Sequence, residues 1–103
     1  MSLAQIRGGI PLVFRDSIDT TGRKHDPKKF VNYIVARNKG ANVVNLFFTE
    51  DDFDADANFV ELPVAAATAP YGEWSGPVEA EAIWLKAVGG ASAVEVVLFQ
   101  RRG

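Results

Sequence analysis

From Phe30 to Arg101 the apolar residues come in short runs, each stopped by glycine, proline or a polar turn. The runs are FVNYIVARN (30–38), NVVNLFFT (42–49), FVELPV (59–64), EAIWLKAV (81–88) and AVEVVLFQR (93–101). β-Branched and aromatic residues dominate them, and such side chains suit a pleated, half-buried surface. A helix competes for the first run, with Asp26 as N-cap and Pro27 at the first helical position. The alternation of Val31, Tyr33 and Val35, ended by NKGAN, favours a strand. The runs at 42–49 and 30–38 are expected to form an antiparallel hairpin through NKGA. Gly89 and Gly90 predict a second hairpin, joining 81–88 to the last run. Pro63 suits an edge or a strand end, because proline donates nothing to a ladder.

Counting also the short apolar run at Ile10–Phe14, six or seven strands predict an all-β fold. It is a small antiparallel β-sandwich, jelly-roll-like or a partly open barrel. The 103 residues suit one domain, and a compact chain of this size buries roughly two-thirds of its unfolded surface. Residues 30–103 are assigned to the sandwich. Residues 1–29 are read as an extended N-terminal arm and loop: one short strand at Ile10–Phe14, then the polar stretch RDSIDTTGRKHDPKK. The stretch AAATAPYGEWSGPVEA is read as a long connection carrying Tyr71 and Trp74.

A net charge of −2 argues against a broad nucleic-acid footprint. The chain has no cysteine, which excludes disulfides, thiolate metal sites and cysteine nucleophiles. No apolar stretch reads as a signal peptide or membrane span, so the chain is expected to be made in a cytoplasm and to stay off membranes.

The segment TEDDFDADANF resembles the opening of a calcium loop, with Asp52, Asp54, Asp56 and Asn58 at alternate positions. An EF-hand needs Gly at position 6 and a bidentate Glu at position 12. Counted from Asp52, those positions hold Ala57 and Pro63. The favoured reading is a connector in which Thr49 caps a helical turn, Asp51 and Asp52 sit near its positive end, and Phe53 folds back onto the core. Weak calcium binding at Asp52–Asn58 stays open. His25 is the only histidine and reads as an exposed loop side chain, so no triad or multi-histidine zinc site is expected. No cofactor, metal or catalytic residue is assigned, and the chain is read as a non-enzyme.

Several strands are apolar on both faces. In the last, Val94, Val96 and Leu98 oppose Val97 and Phe99; in IWLKAV, Ile83 and Leu85 oppose Trp84 and Val88. Such a strand is covered by loops, lies in an interface or forms an exposed patch, and large exposed patches are rare on monomers. The candidate interface residues are Tyr71, Trp74, Trp84, Val97, Phe99, Arg101 and Arg102. The aromatics suit interface anchors, and the two arginines suit acidic groups on a partner.

The segments RNKGANVVNLFFTEDDFD, FVELP, WSGPVEAEAIWLKAVGG and VEVVLFQRRG resemble small structural proteins of tailed bacteriophages, over about residues 30–103. The resemblance implies a virion protein that decorates or cements the head or forms a head-fibre base. Its partners would then be the major capsid protein or tail subunits, with self-association into a homo-oligomer such as a trimer. A tail or baseplate component is the alternative. A carbohydrate-binding module, with Tyr71 and Trp74 stacked on sugar rings, is the reading from another class.

Overall fold

A computed structural model describes residues 9–28, 30–64 and 72–101. The elements are β1 (Gly9–Ile18), β2 (Arg23–His25), β3 (Val31–Asn38), β4 (Val44–Phe47), α1 (Glu50–Ala55), β5 (Val60–Leu62), β6 (Gly72–Ala80), β7 (Ile83–Ala87) and β8 (Ser92–Arg101). They form two antiparallel four-stranded sheets, ordered β1-β8-β3-β6 and β2-β7-β4-β5.

The pairing has a simple logic. β1 pairs with β8, β2 with β7, β3 with β6 and β4 with β5. The chain is therefore one long hairpin with α1 near its tip. Rolling that hairpin adds the β3–β8 and β4–β7 ladders and closes a sandwich. This is the jelly-roll arrangement of eight strands. Only the β4–β5 connection stays within a sheet; the others carry the chain from one sheet to the facing one.

Two expectations about connections are corrected here. NKGA and GGAS do not close hairpins, because β3 and β4 lie in different sheets, as do β7 and β8. Glycine and polar residues turn the chain, but they do not specify whether the next strand joins its neighbour or the opposite sheet. Both arches are pinned at one end of the sandwich. Lys39 N donates to Ala93 O at 2.8 Å, Val88 N to Val43 O at 2.8 Å, and the Asn42 side chain to Ala91 O at 2.9 Å.

The segment read as an arm is also corrected in its described part. β1 runs in continuous register with β8 from Gly9 to Ile18, and β2 is an edge strand of the second sheet. Residues 9–28 thus supply an edge, among the described strands, to each sheet. Likewise Gly72–Ala80 is a full strand, β6. Its alternate residues Gly72, Trp74, Gly76, Val78 and Ala80 face inward, while Glu73, Ser75, Pro77 and Glu79 are exposed. Pro77 is tolerated because no described strand pairs beyond β6 in its sheet. Gly72 is required by a close approach: a Cβ there would collide with the Pro63 carbonyl at the end of β5.

The core lies between the sheets. Ile34, Ala36, Val96 and Leu98 meet Val44, Leu46, Leu62, Ile83 and Leu85, all fully buried. Each large aliphatic side chain buried in this way contributes about 1.5–3 kcal/mol. One irregularity decides which face of β3 does this. Its register shifts between Val31 and Tyr33 against both neighbours. The bulge turns Ile34, Ala36 and Asn38 inward with Val31, and it leaves Tyr33 and Val35 on the outer face.

Candidate interaction surface

The two sheets differ in what covers their outer faces. On the second sheet, Phe47 and Trp84 point away from the core and are closed over by the chain itself. Thr49 caps α1 by accepting from Asp52 N at 3.1 Å, as the sequence suggested. The turn ends at Asp56 in the left-handed conformation. Phe53 thereby lands edge-on against Phe47 at 5.5 Å, and Phe59 meets Phe47 from another side at 5.5 Å. Lys86 locks the assembly. Its ammonium lies 4.6 Å from the Phe53 ring centroid and donates to Phe53 O at 3.2 Å, at the end of the turn whose carbonyls attract a cation. Gly22 makes room on the other flank: its φ is +90°, and a Cβ there would sit 2.6 Å from the Phe53 ring.

The acidic residues of α1 do not converge. Residues two apart on a helix do not face each other, and the Asp52 carboxylate accepts from the Asn58 side chain at 3.2 Å. Among the described residues no three acidic, histidine or cysteine side chains form a metal-sized cluster.

Among the described residues no element lies across the outer face of the first sheet, although Phe99 on that face is buried. Reading across β1, β8, β3 and β6, one row is Val13, Val97, Val35 and Ser75. Val13 is 45% exposed, and Val97 and Val35 are half-buried. Beside this row Tyr33 packs edge-on against Phe99 at 6.0 Å, next to exposed Pro77. On the other side runs a charged row: Arg15, Glu95, Arg37 and Glu73. Arg15 meets Glu95 at 2.8 Å, Arg37 meets Glu73 at 2.8 Å, and Arg37 also reaches Glu95 at 3.3 Å. The Arg15 hydrogen bond, with Lys39 and Arg37 nearby, holds the Glu95 carboxyl below its usual range. Val35, Arg37, Glu95, Val97 and Phe99 line a shallow recess of about 220 Å³ on this face.

The candidate interface residues fall into distinct places. Val97 lies on the open face. Trp84, 9% exposed, belongs to the covered face of the second sheet; Phe99, 1% exposed, is on the first sheet's outer side beneath that surface. Trp74 points inward and packs its ring 5.6 Å from that of Phe48. These three rings are engaged inside the molecule and are not presented as free anchors. Tyr71 and Arg102 lie outside the described residues; Arg101 ends β8 opposite Gly9, and its side chain lies outside them. The sequence reading missed Val13, Val35 and the charged row. Their signal was present in Val13, Arg15 and Ser17 alternating along one face of β1.

His25 is a further correction. It is 7% exposed, stacked on Phe14 at 4.6 Å, with its Nε2 atom 4.0 Å from an Asp16 carboxylate oxygen. Burial lowers its pKa from 6.5; Asp16 pulls the other way and Arg23 reinforces the burial. The reason is local: β2 pairs with β7 at Ile83, and that ladder turns the imidazole inward. A groove on the second sheet's side mixes Lys24, Asp26, Lys28 and Glu81 around Trp84, with Lys24 over the indole at 5.4 Å. This gathers charges of both signs without a nucleophile–base pair.

No protein-family model matches the chain, and no curated protein shows a significant similarity to it. Among the described residues no helix is long and apolar enough to cross a membrane. The molecule is classified by its architecture alone, as a small antiparallel jelly-roll sandwich with one outer face covered by α1 and the other crossed by no described element.

Proposed function

We propose that this chain is a non-enzymatic assembly protein of a tailed-phage virion, decorating or cementing the head. It works by burying surface, and the outer face of its first sheet is the surface it uses. The observation that carries this reading is the contrast between the two outer faces. A helix, two phenylalanines and a lysine cover one, whereas no described segment covers the valine row and its bordering paired charges on the other. Two further considerations support it. The segments from Arg37 onward resemble small virion structural proteins, and jelly rolls recur in viral capsid domains. The second is an analogy of fold, and folds host many functions. A tail or baseplate position is the second reading, and it uses the same face. The carbohydrate reading loses its platform, because Trp74 is packed against Phe48 within the core margin.

The test is particle labelling. An antibody raised against the purified chain should decorate intact virions in electron micrographs. Regular labelling of heads supports decoration, labelling confined to tails transfers the role there, and particles free of the protein overturn the proposal.

A further inference from the structure

The open face is self-complementary in a specific way. Across the sheet the charged row reads Arg15, Glu95, Arg37, Glu73: positive, negative, positive, negative. A two-fold axis parallel to the strands, between β8 and β3, reverses each row on a second copy. The reversed row reads negative, positive, negative, positive. Arg15 then faces Glu73 of the second copy, and Glu95 faces its Arg37. In the neighbouring row Val97 faces Val35 at the centre, and Val13 faces Ser75 at the flanks. A two-fold axis across the strands fails this test, because it sets the charged row onto the row of Phe99, Tyr33 and Pro77. Burying charges against apolar groups is costly.

Sheets that pack face to face keep their strands within about 30° of one another, which this arrangement satisfies. The area also suffices. Over the length the four strands share, about eight residues, the face measures about 19 Å by 26 Å, or about 500 Å² per copy. Specific interfaces begin near that size, at about 1,000 Å² in total.

We propose that the occupant of this face is a second copy of this chain, packed sheet against sheet about a two-fold axis parallel to the strands. The inference rests on the reading that the open face is an association surface, and it names the partner. The dimer is isologous, so each cross-pair occurs twice.

The experiment uses two single variants and their mixture, with mass measured by light scattering after size exclusion at high micromolar concentration. The wild-type chain is expected at twice its 11.2 kDa mass. Arg15→Glu sets a second carboxylate against Glu73 of the facing copy, and Glu73→Arg sets a second guanidinium against Arg15 of the facing copy. Each variant alone should dimerise at least about tenfold more weakly, since facing like charges oppose docking. Mixing the two restores opposite charges across the heterodimer, and its affinity should return to within about threefold of wild type. Loss of the intramolecular pairs Arg15–Glu95 and Arg37–Glu73 gives no such recovery in trans. A monomeric or trimeric wild-type chain overturns the inference, and so does a dimer that either variant leaves unchanged or that mixing does not restore. A monomer that still labels virions leaves the assembly role standing. A rescued dimer absent from particles removes that role and keeps the dimer.

Discussion

Asn38 should be the most sensitive polar residue in the molecule. It is fully buried at the end of β3, where the two inter-sheet arches and the end of β5 converge. Its amide nitrogen donates to Asn42 O at 2.7 Å, Leu62 O at 3.1 Å and Pro63 O at 3.3 Å. Its Oδ1 accepts from Gly40 N at 3.1 Å and from the Ser92 hydroxyl at 2.7 Å. One side chain thus ties β3 to β5 and β8. Asn38→Asp keeps the shape and the acceptor, but it replaces both N–H donors with an oxygen facing three carbonyls. A buried group left unsatisfied costs about 1–3 kcal/mol, so two lost donors cost about 2–6 kcal/mol. Asn38→Ala removes both sides of the hub and falls in the same range. Each kcal/mol lowers Tm by about 4–8 °C in a domain of this size. Urea unfolding followed by tryptophan fluorescence reads the loss directly. A loss below about 0.5 kcal/mol for both variants would show that the convergence is held by backbone contacts alone, with no hub at Asn38.

Other perturbations test the remaining parts. Thr49→Ala removes the cap of α1 and should cost about 1 kcal/mol, measured by the same unfolding curve. Gly22→Ala strains a backbone at φ +90° and drives a methyl into the Phe53 ring. It should dislodge α1, and the exposed Phe47 and Trp84 should then raise binding of a hydrophobic dye. His25 has a lowered pKa through burial, so the unfolded chain takes up a proton that the folded chain resists. Stability is therefore full above the ordinary histidine value of 6.5 and falls as pH drops below it. Urea midpoints at about pH 7.5 and pH 5 should differ, and His25→Phe should flatten that difference; an unchanged slope would contradict the assignment. Glu95 and Asp26 also have lowered pKa values, from the Arg15 hydrogen bond and the Lys28 backbone N–H respectively. Their contribution is present above the usual carboxylate range and is lost only as pH falls further.

The strand content was legible in the sequence wherever β-branched residues ran between clear breakers. β3, β4, β5, β7 and β8 all fall on the runs that periodicity picks out, to within two residues at their ends. β6 was hidden because its inward positions include Gly72 and Gly76, which carry no hydrophobic signal although they are buried. The full length of β1 was hidden by Asp16, an inward-facing carboxylate at the sheet's end that meets Arg23 and lies near His25. Sheet assignment was not legible at all. NKGA and GGAS have ordinary turn chemistry, and the choice between a hairpin and an arch is made by distant contacts such as Asn38 to Leu62. The doubled apolarity of β8 and β7 was visible, but its meaning differed between them. On β7 it serves α1, whose Phe53 could be assigned a direction from the cap at Thr49. On β8 it serves the open face, whose charged border emerges only once four strands are placed in register.

Association should bury the outer face of the first sheet and leave the second sheet's edge in solvent. A chain without cysteine allows a clean measurement: the maleimide labelling rate of Val35→Cys, on that face, against Glu61→Cys, exposed on β5 of the second sheet. The Val35→Cys thiol should label slowly in concentrated protein and speed up on dilution, while the Glu61→Cys thiol labels fast throughout. If the ratio of the two rates does not change with concentration, the open face is not where this protein meets another copy of itself.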